Sequence, residues 1–422
     1  YHPTPSVIET ARALMRNEPL SRIRLVDSSN FEYVFQSIQT IIQQAKDNHE
    51  HHLIFITGEP GAGKTYLGLQ LVHNHDDSIY LSGNRPLVEV LQHALNNDTT
   101  FVQSLYSYKM AYLKDRSALK EHIIVFDEAQ RAWDKERVAN HRHVKTSNLS
   151  EPDIIMNIAT INKKWSVTVG LVGEGQEIYT GEERGLPLWN EALIDKQVIV
   201  HGKQKKEVFP NATHFYSSIR FHLNTSLRSH AALNYSEFVK SLIDGNIKKA
   251  AEIVPLLDTS RFHLRITQDF EKAKQTANRL YPDDEKTIGI VCAKGLNEQK
   301  KISVLYDDGK SNPSKIVQFF NDPKSPYYCR NLNYSITEFQ SQGLELDFSI
   351  LHWDNDFYLK DGVWNGQHFQ NNVSDPLQIK RNAYRVNLTR GRDGLIIYIP
   401  KMPELVETWH MFKHLLCIKE LI

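Results

Sequence analysis

The stretch Leu53–Thr65, LIFITGEPGAGKT, constrains the fold of this chain more than any other. A short apolar run leads into a glycine-rich turn, and 58–65 fits G-x-x-x-x-G-K-[ST] at every fixed position. Glycines let the backbone curl so that its N–H groups point inward, and a following helix adds its positive end. A chance match in a surface turn is the alternative, but an apolar strand before and a helical pattern at 66–72 provide the required context. The sequence therefore predicts a loop for the phosphates of a nucleoside triphosphate.

Two side chains of this loop have specific expected tasks. Lys64 is expected to reach the outer phosphates, and the Thr65 hydroxyl to hold magnesium, so that the expected cofactors are ATP and Mg²⁺. The predicted nucleotide contacts are the turn and the start of the helix: Gly58, Glu59, Pro60, Gly61, Ala62, Gly63, Lys64, Thr65 and Tyr66.

Composition bounds the class of protein. The chain has 422 residues, 41% of them hydrophobic and 24% charged, which is typical of a globular protein of two or three domains. Its formal net charge is zero, so any nucleic-acid track has to be local. The three cysteines share no metal-like spacing and are interpreted as reduced thiols of a cytoplasmic protein. No apolar run has the length of a membrane span, and no signal peptide is visible.

Alternating strand and helix patterns predict an α/β fold. Apolar residues recur at helical spacing over 31–45, and Pro86 suits the first turn of a helix over 86–95. Between the helices lie short β-branched runs that are typical of buried parallel strands. This alternation predicts a doubly wound sheet with ligands at the carboxyl ends of its strands. The predicted strands are 53–57, 78–83, 122–126 and 167–173.

The alternation resumes after a polar, basic stretch at Lys203–Lys206, which we interpret as a domain boundary. Apolar runs at 287–293, 348–353 and 395–400 predict a second parallel sheet. The expected organisation is a helical, connecting segment over 1–50, a first domain over 51–205 and a second domain over 206–422.

A second acidic motif complements the phosphate loop. HIIVFDEAQ places Asp127 and Glu128 directly after an apolar strand. A carboxylate there would hold the magnesium through water, and its neighbour would orient or deprotonate an attacking water. An acidic pair at a strand end is common on protein surfaces. Hydrolysis, however, needs both a phosphate loop and an acidic site, and this chain has both.

At this point the motifs resemble those of a known group. GEPGAGKT (58–65) and DEAQ (127–130) look like motifs I and II of superfamily 1 helicases. Five further segments make the chain resemble the bacterial Schlafen-group helicase-like family, a family of unknown function, over roughly 50–400. They are YLSGNRPLVEVL (80–91), GLVGEGQEIYTGEERGLPLW (170–189), SLRS (226–229), TEFQSQGLELD (337–347) and NAYRVNLTRGRDG (382–394).

The resemblance implies two RecA-like domains with ATP in the cleft between them. Arg390 is then the expected principal arginine finger and Arg228 its helper, because phosphoryl transfer needs extra cations on the developing charge. Gln176 resembles the glutamine that senses the γ-phosphate. In the segment Gly-Glu-Gly-Gln, however, it stands one residue earlier than in the usual motif. Gly343 is expected to offer its N–H near phosphate, or to form only a tight turn. Glu345 resembles the residue that contacts the nucleotide sugar or orients the cleft.

The glutamine that commonly reads adenine in superfamily 1 has no clear equivalent here. Ser28, Ser29 and Asn30 occupy the expected region, and Gln36 lies inside the predicted helix. Base selectivity is therefore expected to be relaxed, with ATP as the default nucleotide.

The resemblance also implies a single-stranded DNA or RNA partner, contacted by Ser82, Asn84 and Arg85 of the SGNR segment. A basic stretch is either a further contributor or a solvated face; it comprises Arg131, Lys135, Arg137, Arg142 and Lys145. Aromatic side chains available for stacking, or simply core, are Trp133, Trp165, Tyr179, Trp189 and Trp353. The histidine clusters at 49–52, 73–75 and 141–143 lack the partners of a zinc site.

These observations support two functions of different classes. The first is an ATP-hydrolysing translocase or helicase, with a possible nuclease or other effector partner and a bacterial antiviral role by resemblance only. The second is an ATP-dependent binding switch without translocation, which the neutral charge and the absence of long insertions favour. A P-loop kinase is a weaker alternative, because the order of the motifs in two domains argues against it.

Overall fold

The computed structural model describes residues 6–16, 28–58, 62–96, 99–115, 119–140, 148–173, 185–223, 230–259, 262–282, 286–293, 303–306, 311–368 and 375–421. Contact density divides most of the chain into two compact units, Glu9–Leu227 and Arg228–Ile422. Each unit contains its own parallel sheet.

The sheet of the first unit has eight strands, and every strand pair in it is parallel. The spatial order is β3-β2-β4-β5-β1-β6-β7, and β8 pairs with the end of β1. The strands are β1 (His51–Gly58), β2 (Ser78–Ser82), β3 (Val102–Ser104), β4 (Ile123–Phe126), β5 (Ser166–Val172), β6 (Ile199–Gly202), β7 (His214–Ser217) and β8 (His222–Leu223).

Helices connect these strands, as parallel pairing requires. Their ends carry local signals: Ser104 caps α5, and Ser150 with Asp153 forms a capping box at α7. The helices are α1 (Val7–Met15), α2 (Ser28–Asn48), α3 (Lys64–His73), α4 (Arg85–Ala94), α5 (Leu105–Lys114), α6 (Lys135–Asn140), α7 (Glu151–Thr160) and α8 (Gly185–Glu191).

Helix α3 lies very close to the first sheet, and a glycine makes this possible. A Cβ atom on Gly68 would lie 2.7 Å from Tyr80 Cε2 and 3.0 Å from Val125 Cγ1. On the sheet, Phe55 of β1 belongs to the apolar core and packs edge-on against the buried Trp189. This packing fixes the start of α3 relative to the ends of the central strands.

The second unit contains a six-stranded parallel sheet in the order β11-β12-β10-β13-β16-β9. A separate antiparallel hairpin, β14–β15, follows β13 in the chain. The strands are β9 (His263–Thr267), β10 (Ile288–Cys292), β11 (Ser303–Val304), β12 (Tyr334–Thr337), β13 (Leu346–His352), β14 (Phe357–Lys360), β15 (Val363–Gly366) and β16 (Gly391–Tyr398).

Seven α-helices of the described residues belong to this unit. Asp269 caps α11, and Asp375 caps α14 just before a proline at its first position. The helices are α9 (His230–Ile243), α10 (Ile247–Thr259), α11 (Phe270–Leu280), α12 (Lys315–Asn321), α13 (Glu338–Ser341), α14 (Pro376–Leu388) and α15 (Val406–His410), the last continuing as a π-helical turn, Met411–Leu415.

The predicted α/β class with two parallel sheets is confirmed, and each apolar run named in the sequence forms a strand. The division between the units lies further along the chain than the predicted boundary after 205. The reason is that β7 pairs with β6, and β8 pairs with β1. Within 1–50, α2 packs on the first sheet as part of the first unit.

Two further findings concern surfaces and thiols. No helix among the described residues is both long and apolar enough to cross a membrane. All three cysteines are unbridged, with Cys292 and Cys329 buried and Cys417 exposed.

Candidate active site

The phosphate loop joins β1 to α3 at the carboxyl edge of the first sheet. Gly63 adopts φ 89° and ψ 17°, a left-handed conformation that favours glycine, and α3 begins at the next residue. The N-cap residue Gly63 has no side chain that could cap the first N–H groups of this helix. The start of a helix, with its dipole, is a favourable place for an anion. Ala62 and Tyr66 are buried beside the loop, whereas Glu59, Pro60 and Gly61 lie outside the described residues.

Lys64 spans the loop. Its Nζ donates a hydrogen bond of 2.6 Å to the carbonyl oxygen of Gly58, where β1 ends. The ammonium group is thus held over the turn, where an outer phosphate would compete for it. The task of Lys64 with the outer phosphates stays a prediction.

Thr65 and Asp127 are the predicted magnesium-binding residues, and both lie beside the hydroxyl of Tyr80. Asp127 follows β4 and is 5% exposed. Burial raises the pKa of Asp127 to about 7 and the charge of Glu128 adds to this, while Tyr80 and Lys64 act in the opposite direction. A buried carboxylate of this kind gains from a cation. Hydroxyl and carboxylate oxygens are ligands that magnesium prefers, so the residues present fit this ion.

Glu128 has an unusual backbone. Its φ of 53° and ψ of 48° are left-handed for a residue other than glycine, and such a conformation costs about 1 kcal/mol or more. One Glu128 oxygen accepts a hydrogen bond of 2.5 Å from Gln130 Nε2. Gln130 Oε1 in turn accepts one of 2.9 Å from the Gly173 N–H, just after β5. The strained turn therefore holds the Glu128 carboxylate in a fixed position at the carboxyl edge of the sheet.

Sequence reasoning did not assign a role to Gln130 or to Tyr80. Gln130 was detectable in principle because it completes the DEAQ segment. No sequence pattern distinguished Tyr80 from the other residues of the apolar run that forms β2. Its location depends on how α3 packs.

The SGNR segment is only partly exposed. Ser82 is 1% exposed; its Oγ lies 3.5 Å from Asp127 Oδ2 and accepts a hydrogen bond from the Asn84 N–H. Asn84 is 5% exposed as well. Arg85 is exposed and pairs with Glu89 at 2.6 Å. The structure thus directs Ser82 toward the acidic site, in contrast to its predicted role on a nucleic-acid surface, and leaves Arg85 as the accessible side chain of the three.

Arg390 is deeply embedded in the second unit. Its guanidinium donates to the carbonyl oxygens of Val386 at 2.8 Å and of Ser341 and Leu344 at 3.0 Å, and to Thr389 Oγ1 at 3.2 Å. With 5% exposure, the side chain joins the end of α14 to the loop between α13 and β13. Its role as a finger stays a prediction, and the structure adds a local structural role.

That loop contains the other two predicted residues of the second unit. Gly343 has φ 74°, in keeping with the tight-turn alternative, and its N–H role stays a prediction. Glu345 Oε2 lies 3.6 Å from Arg392 Nε. Gln176 and Arg228 lie outside the described residues, as do Arg142, Lys145 and Tyr179.

The tryptophan candidates separate into core and surface groups, whereas His141 and His143 lie outside the described residues. Trp189 and Trp353 are fully buried, whereas Trp133 lies under the guanidinium of Arg137 at 4.4 Å and Trp165 is partly exposed. Among the described residues no group of three or more His, Cys, Asp or Glu side chains is placed to hold a metal ion.

The region in which superfamily 1 enzymes commonly carry an adenine-reading glutamine makes a structural contact in this protein. Asn30, near the start of α2, donates a 3.4 Å hydrogen bond to the carbonyl oxygen of His222 in β8. Gln36 is exposed on α2 and donates to Glu32 at 2.7 Å. Base selectivity stays a prediction.

Comparisons with known proteins bear on the family. Similar solved structures include Pif1 of Bacteroides bound to ssDNA (12% identity, TM-score 0.40, covering 90% of this chain and 95% of that one). A second is the arterivirus nonstructural protein 10 helicase with DNA (10% identity, TM-score 0.34, covering 83% of this chain and 61% of that one). A third is the Escherichia coli DEAH/RHA helicase HrpB (10% identity, TM-score 0.37, covering 87% of this chain and 42% of that one). No curated protein matches the sequence. The pattern of one family, Schlafen group 3, DNA/RNA helicase domain, matches residues 51–401. The chain therefore belongs to the Schlafen group 3 DNA/RNA helicase domain family.

Proposed function

We propose that this protein hydrolyses ATP with Mg²⁺ and uses the reaction to move along or unwind single-stranded DNA or RNA. The observation that carries the proposal is the meeting of four side chains at the carboxyl edge of one parallel sheet. Lys64 and Thr65 come from the loop after β1, and Asp127 and Glu128 follow β4. Family membership supports the nucleic-acid part of the proposal.

The proposed chemistry follows from these positions. Lys64 binds the outer phosphates, and the N–H groups at the start of α3 bind the remaining phosphate oxygens. Thr65 would hold magnesium with its hydroxyl and Asp127 would hold it through water, and the bound ion would neutralise charge on the phosphate oxygens. Glu128, fixed by Gln130, accepts the proton of the attacking water and orients it for in-line attack.

Three further residues of the family motifs complete the proposed site. They are Arg390 as principal finger, Arg228 as its helper and Gln176 as sensor. Arg85 is the proposed contact of the SGNR segment with the phosphates of the strand, because its side chain is accessible.

The biological setting is proposed on family resemblance alone. It is a cytoplasmic role in bacterial antiviral defence, together with a nuclease or another effector partner.

The test is the steady-state ATPase rate with and without single-stranded DNA and RNA. The translocase proposal expects strong stimulation by a strand, and Glu128→Gln is expected to abolish turnover while ATP binding persists. Glu207→Gln removes an exposed carboxylate of the same unit and is the matched control. Undiminished hydrolysis by Glu128→Gln would refute the assignment. Stimulation by a protein partner alone, or by nothing, would favour the binding switch.

A further inference from the structure

A cavity of about 590 Å³ opens at the amino edge of the first sheet, at the opposite ends of the strands from the phosphate loop. Its walls come from the end of α5, the segment that leads into β4, the end of α7 and the turn before β5. From His122, before β4, to Asp127, after it, the extended chain spans about 16 Å. The cavity is therefore separate from the proposed ATP site, and its size is typical of sites for small ligands.

The charge of the lining is positive. Among the described residues that line the cavity, three are lysines and none is acidic. Lys120 precedes β4, whereas Lys163 and Lys164 belong to the turn between α7 and β5. Lys120 and Lys164 are exposed, and neither side chain forms an ion pair or a hydrogen bond within the described part of the chain. Both ammonium groups are thus available to an anion.

The third lysine is held in place by the protein. Lys163 Nζ donates a hydrogen bond to the carbonyl oxygen of Glu121. Burial lowers the pKa of Lys163 to about 8, against the opposing charges of Glu121 and Asp77. The Glu121 carboxylate already accepts a hydrogen bond of 3.0 Å from the Tyr108 hydroxyl. A partly buried ammonium group gains from a nearby negative charge, so Lys163 also favours an anion in the cavity.

A pair of stacked rings completes the lining. The ring centroids of His122 and Trp165 lie 4.4 Å apart, with their planes inclined at 14°. His122 Nδ1 lies 2.8 Å from the carbonyl oxygen of Trp165, and this contact holds the imidazole in place. Trp165 is partly exposed, and its indole N–H has no hydrogen-bond acceptor among the residues that the structure describes. Accessible aromatic rings beside cationic groups are suited to stacking with a nucleobase.

We propose that this cavity is a second nucleotide site, which binds a mononucleotide with its phosphate at Lys120 and Lys164 and its base against the His122–Trp165 pair. The combination carries the inference: lysines alone would suit any anion, and rings alone any flat apolar group, whereas a nucleotide uses both. The site goes beyond the proposed function and does not depend on ATP hydrolysis.

The test measures the binding of AMP to the full chain by isothermal titration calorimetry. Ribose 5-phosphate and adenosine are the comparison probes, since the first lacks the base and the second lacks the phosphate. We expect AMP to bind about tenfold more tightly than either, because a stacked base or a charge-assisted hydrogen bond contributes roughly that factor. The double variant Lys120→Gln with Lys164→Gln should weaken AMP binding about tenfold or more and leave adenosine binding unchanged.

Lys205→Gln with Lys206→Gln is the matched control. These two lysines are exposed and belong to the same unit, but they follow β6, at the carboxyl edge of the sheet. This variant loses the same charge and should keep the wild-type affinity for AMP. Lys64→Ala separates the two nucleotide sites, and AMP binding should persist in it. Both lysine pairs should melt at the wild-type temperature, because the substituted side chains are exposed.

Several outcomes would overturn the inference. Absence of AMP binding to the wild type would do so, as would equal affinities of the two lysine-pair variants. AMP binding that Lys64→Ala abolishes would place the nucleotide in the phosphate loop instead. Ribose 5-phosphate binding as tightly as AMP would exclude recognition of the base. Loss of ATP hydrolysis would refute the proposed function alone, since AMP binding at this cavity requires no turnover.

Discussion

At the scale of single residues, His201 shows how burial makes stability depend on pH. It is 7% exposed on β6, its Nε2 lies 2.9 Å from His52 Nδ1, and the two rings stack. Burial lowers the pKa of His201 to about 3, with the charge of His52 adding to the effect. The pKa of a histidine in an unfolded chain is about 6.5. Between about pH 3 and this value, therefore, His201 binds a proton in the unfolded chain but not in the folded one.

Stability should therefore fall on acidification through this window, by about 1.4 kcal/mol per pH unit for one proton. We expect His201→Gln to flatten the dependence of the urea midpoint between roughly pH 6 and pH 4. His214→Gln, at an exposed histidine of β7, is the control and should keep the wild-type slope. Equal slopes for the wild type and His201→Gln would contradict this account.

Substitution of Arg390 gives a second prediction at this scale, because it is expected to affect both the stability of the protein and its ATPase rate. Arg390→Ala removes the donor of the Leu344 carbonyl, whereas the carbonyls of Val386 and Ser341 keep the N–H groups of Thr389 and Leu344 as donors. A buried unpaired group costs about 1–3 kcal/mol, so urea unfolding should show a loss of at least about 1 kcal/mol in the second unit. Loss of a finger should additionally lower the ATPase rate about 10³-fold or more.

Arg279→Ala, at an exposed arginine of α11, is the control for both measurements. A rate loss below about tenfold would remove Arg390 from the finger role. The motif made Arg390 a candidate, but its bonds to backbone carbonyls depend on how α14 meets a loop distant in sequence, and no local pattern encodes that.

At the scale of elements, the contact of α3 with the first sheet gives the next prediction. Gly68→Ala would place a methyl group 2.7 Å from the Tyr80 ring and should destabilise the protein by about 1–2 kcal/mol. This is a net value, because alanine favours a helix over glycine by about 1 kcal/mol. Thermal or urea unfolding measures it.

Gly83→Ala is the control, since nothing lies within 4 Å of a Cβ atom there. It should leave stability unchanged or raise it slightly. If both alanine variants are equally stable, the close approach of α3 is not the reason for the glycine.

The same scale shows which elements the sequence could predict. Buried strands such as β1, β5 and β10 contain continuous apolar runs, which are the signal for parallel strands. β7 is largely exposed, with the sequence HFYS, and it carries no such run. Its pairing with β6 is a tertiary contact, and for that reason the boundary of the first unit could not be located from sequence.

At the scale of the whole molecule, the two units have separate apolar cores. We expect calorimetry of the full chain to show two unfolding transitions. Leu53→Ala and Ile290→Ala each truncate a fully buried strand residue, the first in β1 and the second in β10. Each should lower a different transition, since such truncations cost about 2–5 kcal/mol.

The two variants control for one another. A single transition that both substitutions lower equally would contradict independent cores. Neutral overall charge gives no information at this scale, since 50 basic and 50 acidic residues leave the partner to be decided by local sites.

The pairing of β8 with β1 has a mechanical consequence. Leu223 is in register with Gly58, the first glycine of the phosphate loop, and a Cβ atom on Gly58 would lie 3.1 Å from the Leu223 carbonyl oxygen. The backbones of the two strands are therefore packed tightly at this position, and a residue with a Cβ atom in place of Gly58 would press on Leu223. The first unit ends at Leu227, shortly after β8, and the second begins at Arg228. The chain thus leaves the first unit close in sequence to the strand that pairs with the first residue of the phosphate loop.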